Sequence, residues 1–262
     1  MLYIVTKFSI MKKNQIILLA LLLVNSFLFA QDIPAQLNEA IRLQEQYKES
    51  VALQKFDNII RKDPENMIAL QHASYLYSIE GERKKTETEK RNYFAIAKKY
   101  AEKALSLETE NAENHYNLAL ALGKISLLSG SEEKLRYAKQ IKTEAEIAIK
   151  INPKHAPSFH VLGRLNREIA NMSSIKVMAA KALFGGIPEN CTFEKAENYF
   201  IKAIANRPNY ILYYYDAALN ASYMNKNTEA KKYLEKALSL PMLTPDDPYR
   251  VQDCKALLKK LN

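Results

Sequence analysis

Histidine and cysteine are the side chains best suited to hold a metal or attack a carbonyl near neutral pH. This chain of 262 residues has four histidines, His72, His115, His155 and His160, and two cysteines, Cys191 and Cys254. None of the histidines stands in an H-E-x-x-H pair, and no Cys/His spacing matches a zinc site. His155 and His160 are five apart on one predicted helix and point to different sides of it. His115 stands where an aromatic side chain would pack. Cys191 would need a remote histidine to act as a nucleophile, and the preceding Gly185, Gly186 and Pro188 read more simply as the lead into a helix. There is no G-x-S-x-G elbow. The 6 glycines are too few and wrongly placed for a phosphate-cradling loop or a dinucleotide turn. No acid, base and nucleophile converge, so the reading is a non-enzymatic chain with no cofactor and no metal.

The chemistry that remains is recognition. Gln71 and Tyr75, Tyr116 and Asn117, His160 and Arg164, and Tyr215 and Asn220 fall at corresponding places in successive helix pairs. They would line one concave face with amides, aromatic rings and a weak positive charge. Such a groove suits an extended peptide: amides and arginine meet backbone or carboxylate groups, and tyrosine rings cover side chains. Each of the eight could equally make a hydrogen bond between repeats. Of a lysine, asparagine and arginine clamp for a C-terminal carboxylate, only Asn117 and Arg164 are in place. Tyr213, Tyr214 and Tyr215 are consecutive on a helix and cannot form one stacking platform, so no nucleic-acid partner is expected. Tyr210, Tyr213 and Tyr214 have the spacing of a buried stripe, with Tyr215 turned aside.

The elements that must position these residues are helices. A small residue, a larger one and an alanine recur at spacings of 4 and 3, soon followed by proline: Ala196, Phe200 and Ala203 before Pro208, then Ala230, Leu234 and Ala237 before Pro241. Ala97, Ala101 and Ala104 repeat the mark, and Ala145 and Ala148 before Pro153 repeat it more weakly. Small residues at helical spacing let helices approach closely, and stacked pairs build a solenoid. Helical periodicity predicts pairs at 35–47 and 49–62, 66–80 and 92–107, 112–127 and 132–150, 155–170 and 193–206, and 209–224 and 227–240. A charged stretch at 81–91 is a loop or a helix extension. Residues 171–191 insert an apolar-rich helix ended by Gly185-Gly186. A last helix over 246–261 is the cap that a terminal repeat requires.

The closing residues Pro64, Thr109, Pro153, Pro208 and Pro241 lie 45, 44, 55 and 33 apart. Without the insertions each interval returns to about 34, the tetratricopeptide period. Asn114-His-Tyr-Asn-Leu-Ala119 resembles a first-helix motif of that family, Phe159-His-Val-Leu-Gly163 resembles it more closely, and the stretches 148–153 and 237–241 resemble second-helix endings. The resemblance covers about 35–241 and implies an all-α, right-handed solenoid of about five helix hairpins, with an inserted helix and a C-terminal capping helix. A narrower resemblance rests on His160-Val-Leu-Gly-Arg164, on Ala180, Leu183, Phe184, Gly185, Gly186 and Pro188, on Thr192, Phe193, Ala196, Tyr199 and Phe200, and on Leu240, Pro241, Thr244, Pro245, Asp246 and Asp247. It is similar to the regulator of microtubule dynamics family, which implies a cytoskeletal partner and often an N-terminal membrane segment.

Residues 11–31 depart from that family. Lys12 and Lys13 precede nine apolar residues, Ile16 to Val24, and Ala30 stands at a cleavage point. This reads as a signal peptide over 1–30, with Met11 a possible start, ahead of a repeat domain over 31–262. The apolar run is short of the ~20 residues of a spanning helix, so membrane contact is expected only if the leader stays uncleaved. The net charge of +9 falls to +6 without Lys7, Lys12 and Lys13, and reads as a solvated helical surface. Cys191 and Cys254 read as free, half-buried thiols. The sequence predicts an exported scaffold, periplasmic or secreted, that takes a protein or peptide in its groove. Two alternatives stand beside it: an apolar-ligand or lipid carrier in which Val177, Met178, Leu183 and Phe184 cover a cavity, and a membrane-anchored cytoskeletal adaptor.

Overall fold

The computed structural model describes residues 33–261. The leader read over 1–30 lies outside the described residues. Among the described residues all regular structure is helical. The chain divides into two units, one ending at Pro64 and the other starting at Glu65.

The first unit holds one antiparallel hairpin, α1 (33–45) and α2 (Glu49–Lys62). Tyr47 turns the chain at φ +57°, and the Lys48 N–H donates to the Leu43 carbonyl at 2.9 Å. Register is marked by Lys55 to Glu39 at 3.0 Å and Lys62 to Gln36 at 3.3 Å. Ala40, Ala52, Phe56 and Ile59 are buried.

The second unit runs through α3 (Met67–Glu82), α4 (Glu87–Leu107), α5 (Ala112–Leu127), α6 (Ser131–Ile151), α7 (Ala156–Ala170), α8 (Ser174–Phe184), α9 (Phe193–Asn206), α10 (Ile211–Tyr223), α11 (Asn227–Ser239) and α12 (Asp247–Leu261). Its hairpins are α3/α4, α5/α6, α7/α9 and α10/α11. The first helices α3, α5, α7 and α10 also touch in series, so the hairpins nest. Helix α8 is the inserted element and leans on α6, while α12 packs on α10 and α11.

Local chemistry sets the boundaries. Asn66, Asn111, Ser173 and Thr192 each accept a backbone N–H at a helix start. The charged stretch at 81–91 divides: 81–82 end α3, 83–86 form a short loop, and 87–91 open α4, where Thr86 and Glu89 form a reciprocal capping box. Ser131 does not cap α6; Gly130 holds that place and Ser131 is the first helical residue. Gly185, at φ +69°, ends α8, and the Gly186 N–H closes back on the Ala180 carbonyl at 3.0 Å.

The alanine marks are the contact rows. Ala97, Ala196 and Ala230 are fully buried, as are Ala145, Phe200 and Leu234, and Ala148, Ala203 and Ala237. The facing residue, seventh after the start of each first helix, is Ser74, Ala119, Gly163 or Ala218, and all four are buried. Size is matched across the row. Opposite Phe200 the first helix has glycine, and a Cβ at Gly163 would lie 2.6 Å from Phe200 Cε1. Ser74 uses the same closeness to donate its hydroxyl to the Ala97 carbonyl at 2.8 Å. Gly163→Ala is therefore expected to cost about 1–3 kcal/mol of stability by overpacking. Gly123→Ala, whose Cβ would meet nothing within 4 Å, is expected to add about 0.5–1 kcal/mol. Urea unfolding of the two variants measures both.

Candidate functional site

The first-helix face of the second unit is built around a buried carboxylate. Asp216 is the one charged residue of α10 and is 3% exposed. A carboxylate taken out of water must be paired and hydrogen-bonded. Arg167 of α7 donates through Nη1 to Asp216 Oδ1 at 2.7 Å and to the Asp216 carbonyl at 3.1 Å. His160, about two turns back on α7, donates through Nε2 to Asp216 Oδ2 at 2.7 Å. Burial alone would raise the Asp216 carboxyl; the Arg167 charge and the His160 bond outweigh it and hold the group well below the usual carboxylate range. Burial lowers the His160 imidazole, with Arg164 and Arg167 adding to the effect against Asp216. The His160 ring stands 4.8 Å from Tyr213 and 6.0 Å from Phe200, centre to centre.

An aromatic group flanks this centre. Tyr116 is buried with its ring 5.3 Å from that of His155, and Tyr210 meets Tyr213 edge-on at 4.8 Å. Burial, then the neighbouring Tyr75, Tyr213, Glu113 and Tyr210, push the Tyr116 hydroxyl well above its ordinary value.

A charged group is the other feature of the face. Lys124 of α5 pairs with Glu82 at the end of α3, and Arg164 and Arg250 add positive charge near both. Burial lowers the Lys124 ammonium although Glu82 opposes it. Burial would raise Glu82, but Lys124, helped by Arg164 and Arg250, brings it below its ordinary value. Arg250 reaches Asp253 at 3.7 Å. Arg164 makes no ion pair or hydrogen bond among the described residues and is half-buried. Beside this group Arg83, at the end of α3, forks onto Asp246 ahead of α12. Its Nε donates to Oδ1 at 2.9 Å and its Nη2 to Oδ2 at 2.9 Å. The last helix is thereby fastened to the start of the unit across 163 residues.

The eight residues expected at the groove divide by what they touch. Gln71, Asn117, His160 and Asn220 hold helices together. Gln71 Nε2 donates to Asn114 Oδ1 at 2.7 Å, Asn117 Nδ2 to the Gln71 carbonyl at 3.3 Å, and Asn220 Nδ2 to the Phe193 carbonyl at 3.1 Å. Tyr215 packs on the α10–α12 core. Tyr75, Tyr116 and Arg164 belong to the aromatic and charged groups just described. The expected stripe of Tyr210, Tyr213 and Tyr214 splits: Tyr213 joins His160, whereas Tyr214 faces Tyr233 of α11 and donates to the Pro208 carbonyl at 2.9 Å. Consecutive helical residues diverge by about 100°.

His115 does more than pack: its ring nitrogens lie 2.6 Å from Glu144 Oε2 and 2.8 Å from the Thr109 carbonyl oxygen. Cys254 is buried and its thiol is pushed up to about 11 by burial, while Cys191 is half-buried; both are free. Sequence reasoning missed Asp216, Arg167, Lys124, Glu82 and the Arg83–Asp246 fork. A lone acid in the apolar run of α10 was the available signal for the first of these.

Nested helix hairpins with a polar and aromatic first-helix face define a tetratricopeptide-type repeat protein. The model of the family described as "Regulator of microtubule dynamics protein 1-3" matches residues 36–262, and the chain belongs to that family. It is 29% identical to human regulator of microtubule dynamics protein 2 over 175 residues, which are 66% of this chain and 42% of that protein. It is 31% identical to mouse regulator of microtubule dynamics protein 1 over 183 residues, 68% of this chain and 58% of that protein. The chain thus matches less than half the length of the first of these relatives. Among solved structures it is similar in fold to a thermophilic TPR protein of Thermus thermophilus, with TM-score 0.63, 17% identity, and 87% and 99% of the two chains covered. It is also similar to PilW, a type IV pilus biogenesis factor, with TM-score 0.54, 13% identity, and 88% and 90% covered.

The buried centre makes stability depend on pH. The folded His160 resists protonation, so as pH falls through about 6.5 the unfolded chain binds a proton that the fold refuses, and stability drops. His160→Gln is expected to flatten that part of the profile in denaturant midpoints taken above and below this pH. Asp216 acts with the same sign at lower pH, its contribution being lost only as pH falls past the ordinary carboxylate value of about 4. Arg167→Met, which strands the carboxylate, is expected to cost about 3–5 kcal/mol by urea unfolding.

Proposed function

We propose that the chain is a non-enzymatic scaffold that binds an acidic segment of a protein or peptide on the first-helix face of its second unit. The observation that carries this reading is Arg164. A half-buried guanidinium without a carboxylate partner stands beside Lys124 and Arg250, with Glu82 the acid paired to that group. Guanidinium matches carboxylate geometry in a two-point fashion. Tyr75, half-buried on the same first-helix face, supplies aromatic surface for an apolar neighbour in the bound segment. The fold of the tetratricopeptide-type neighbours supports a scaffold in general terms. A peptide library presented to the full chain is expected to yield ligands with carboxylates. Arg164→Ala is expected to weaken the best of them about tenfold, the worth of one charge-assisted hydrogen bond. Ligands without acid, or equal binding by the variant, would refute the assignment.

The leader supports export of this scaffold to the bacterial envelope or exterior. Sequencing the N-terminus of the native protein is expected to begin at Gln31; a retained leader would remove this part of the proposal. A second reading is attachment to microtubules, favoured by membership of the family. Co-sedimentation of the full chain with polymerised tubulin separates the two.

The lipid-carrier alternative assigned Met178 and Leu183 to the cover of a cavity. In the structure both side chains are exposed instead, at 72% and 70%.

A further inference from the structure

Helix α8 is the part of the molecule that the groove does not use, and its surface is unlike that of its neighbours. Ile175, Met178 and Leu183 are 77%, 72% and 70% exposed, the three most exposed of the large apolar side chains among the described residues. Ala179 and Ala182 are exposed with them, and Ala180 is buried. At about 100° per residue, Met178, Ala182, Ile175, Ala179 and Leu183 share one outward arc of about 140°. Lys176 borders that arc on one side and Lys181 on the other. The side carrying Ala180 and Val177 is turned away from the arc. Residues 171–188 contain these two lysines and no acid. On α6, against which α8 leans, Lys139 donates to the Gly185 carbonyl at 3.4 Å and Lys142 to the Glu189 carbonyl at 3.2 Å. The C-terminal end of the insertion therefore lies under two more ammonium groups.

An apolar ridge edged by cations and free of acid is the surface that lies in a lipid headgroup layer. Apolar side chains enter the acyl boundary, and lysines meet anionic headgroups while their stems cover the apolar flank. Burying the arc against a second copy would bring Lys176 and Lys181 of one chain against those of the other, which like-charge repulsion opposes. Charge thus selects the occupant. We propose that α8 is a docking element for an anionic lipid surface, lying in the plane of the interface. Its eleven residues are too few to span a bilayer. Among the described residues no helix is long and apolar enough to cross a membrane. This contact is independent of the peptide groove and of the fate of the leader.

The chain has no tryptophan, so a single reporter can be placed at will. Met178→Trp in the full chain is mixed with vesicles of phosphatidylcholine alone and with vesicles that also hold phosphatidylglycerol. Emission is expected to shift to the blue on the anionic vesicles alone, to be quenched by brominated acyl chains, and to weaken as salt is raised. Tyr249→Trp, at a position 67% exposed on α12, is expected to keep the emission of a ring in water. That control separates docking by α8 from tethering through the leader. Adding Lys176→Glu and Lys181→Glu to the Met178→Trp chain is expected to abolish the shift with the circular dichroism unchanged. The proposal is overturned by no shift at position 178 on anionic vesicles, or by an equal shift on neutral ones. It is equally overturned by an equal shift at position 249, or by a shift without vesicles that grows with protein concentration, which would show self-association.

Discussion

The structure depends on how closely two helices in a hairpin can approach. The second helices of the second unit set buried residues at spacings of 4 and 3, and alanine takes most of these places, as in Ala97, Ala101 and Ala104 or Ala196, Phe200 and Ala203. The residue facing them on the first helix is Ser74, Ala119, Gly163 or Ala218. Where the second helix carries the bulk of Phe200, the first helix gives up its side chain altogether at Gly163. Close-packed interiors leave no slack for a methyl group at such a crossing. The hairpin spacing that follows lets α3, α5, α7 and α10 lie side by side and form a continuous face.

That face is polar at its centre because of Asp216. A carboxylate on an otherwise uncharged helix is tolerated there because Arg167 and His160 approach it from α7. The pair ties neighbouring repeats more directionally than apolar contact would, since hydrogen bonds fix angle as well as distance. The same commitment takes His160 away from any ligand. It also leaves Arg164, one turn along the same helix, as the arginine of α7 without an ion pair among the described residues. The Arg83–Asp246 fork then places α12 beside the charged group, so that Arg250 contributes to a site that the repeats alone would not complete.

Two surfaces with different chemistry result. The first-helix face is aromatic and charged, and its residues are largely held by one another. The α8 surface is open, apolar and edged by lysines; Ala180 beneath it is buried, and the lysines of α6 bond to the backbone that follows it. The insertion that supplies α8 lies between the two helices of one hairpin, so it leaves the nesting of α7 with α9 undisturbed.

Helices, their order, the insertion and the family motifs were legible in the sequence, because periodicity, caps and small-residue spacing are local signals. Thr192 and Gly185-Gly186 mark their boundaries by chemistry that acts within a few residues. The long charged stretch before α4 was ambiguous only until the Thr86–Glu89 box decided it. The first-helix face was legible as residue types but not as roles. By type alone Asn117, Asn220 and His160 could serve a ligand or a neighbouring helix, and in the structure each bonds to a neighbouring helix. Arg83 and Asp246 carry no mark in the chain that they belong together. Which polar group is spent within the fold, and which is left for a partner, depends on distances between residues far apart in sequence. Packing in three dimensions sets those distances, and no local pattern records them.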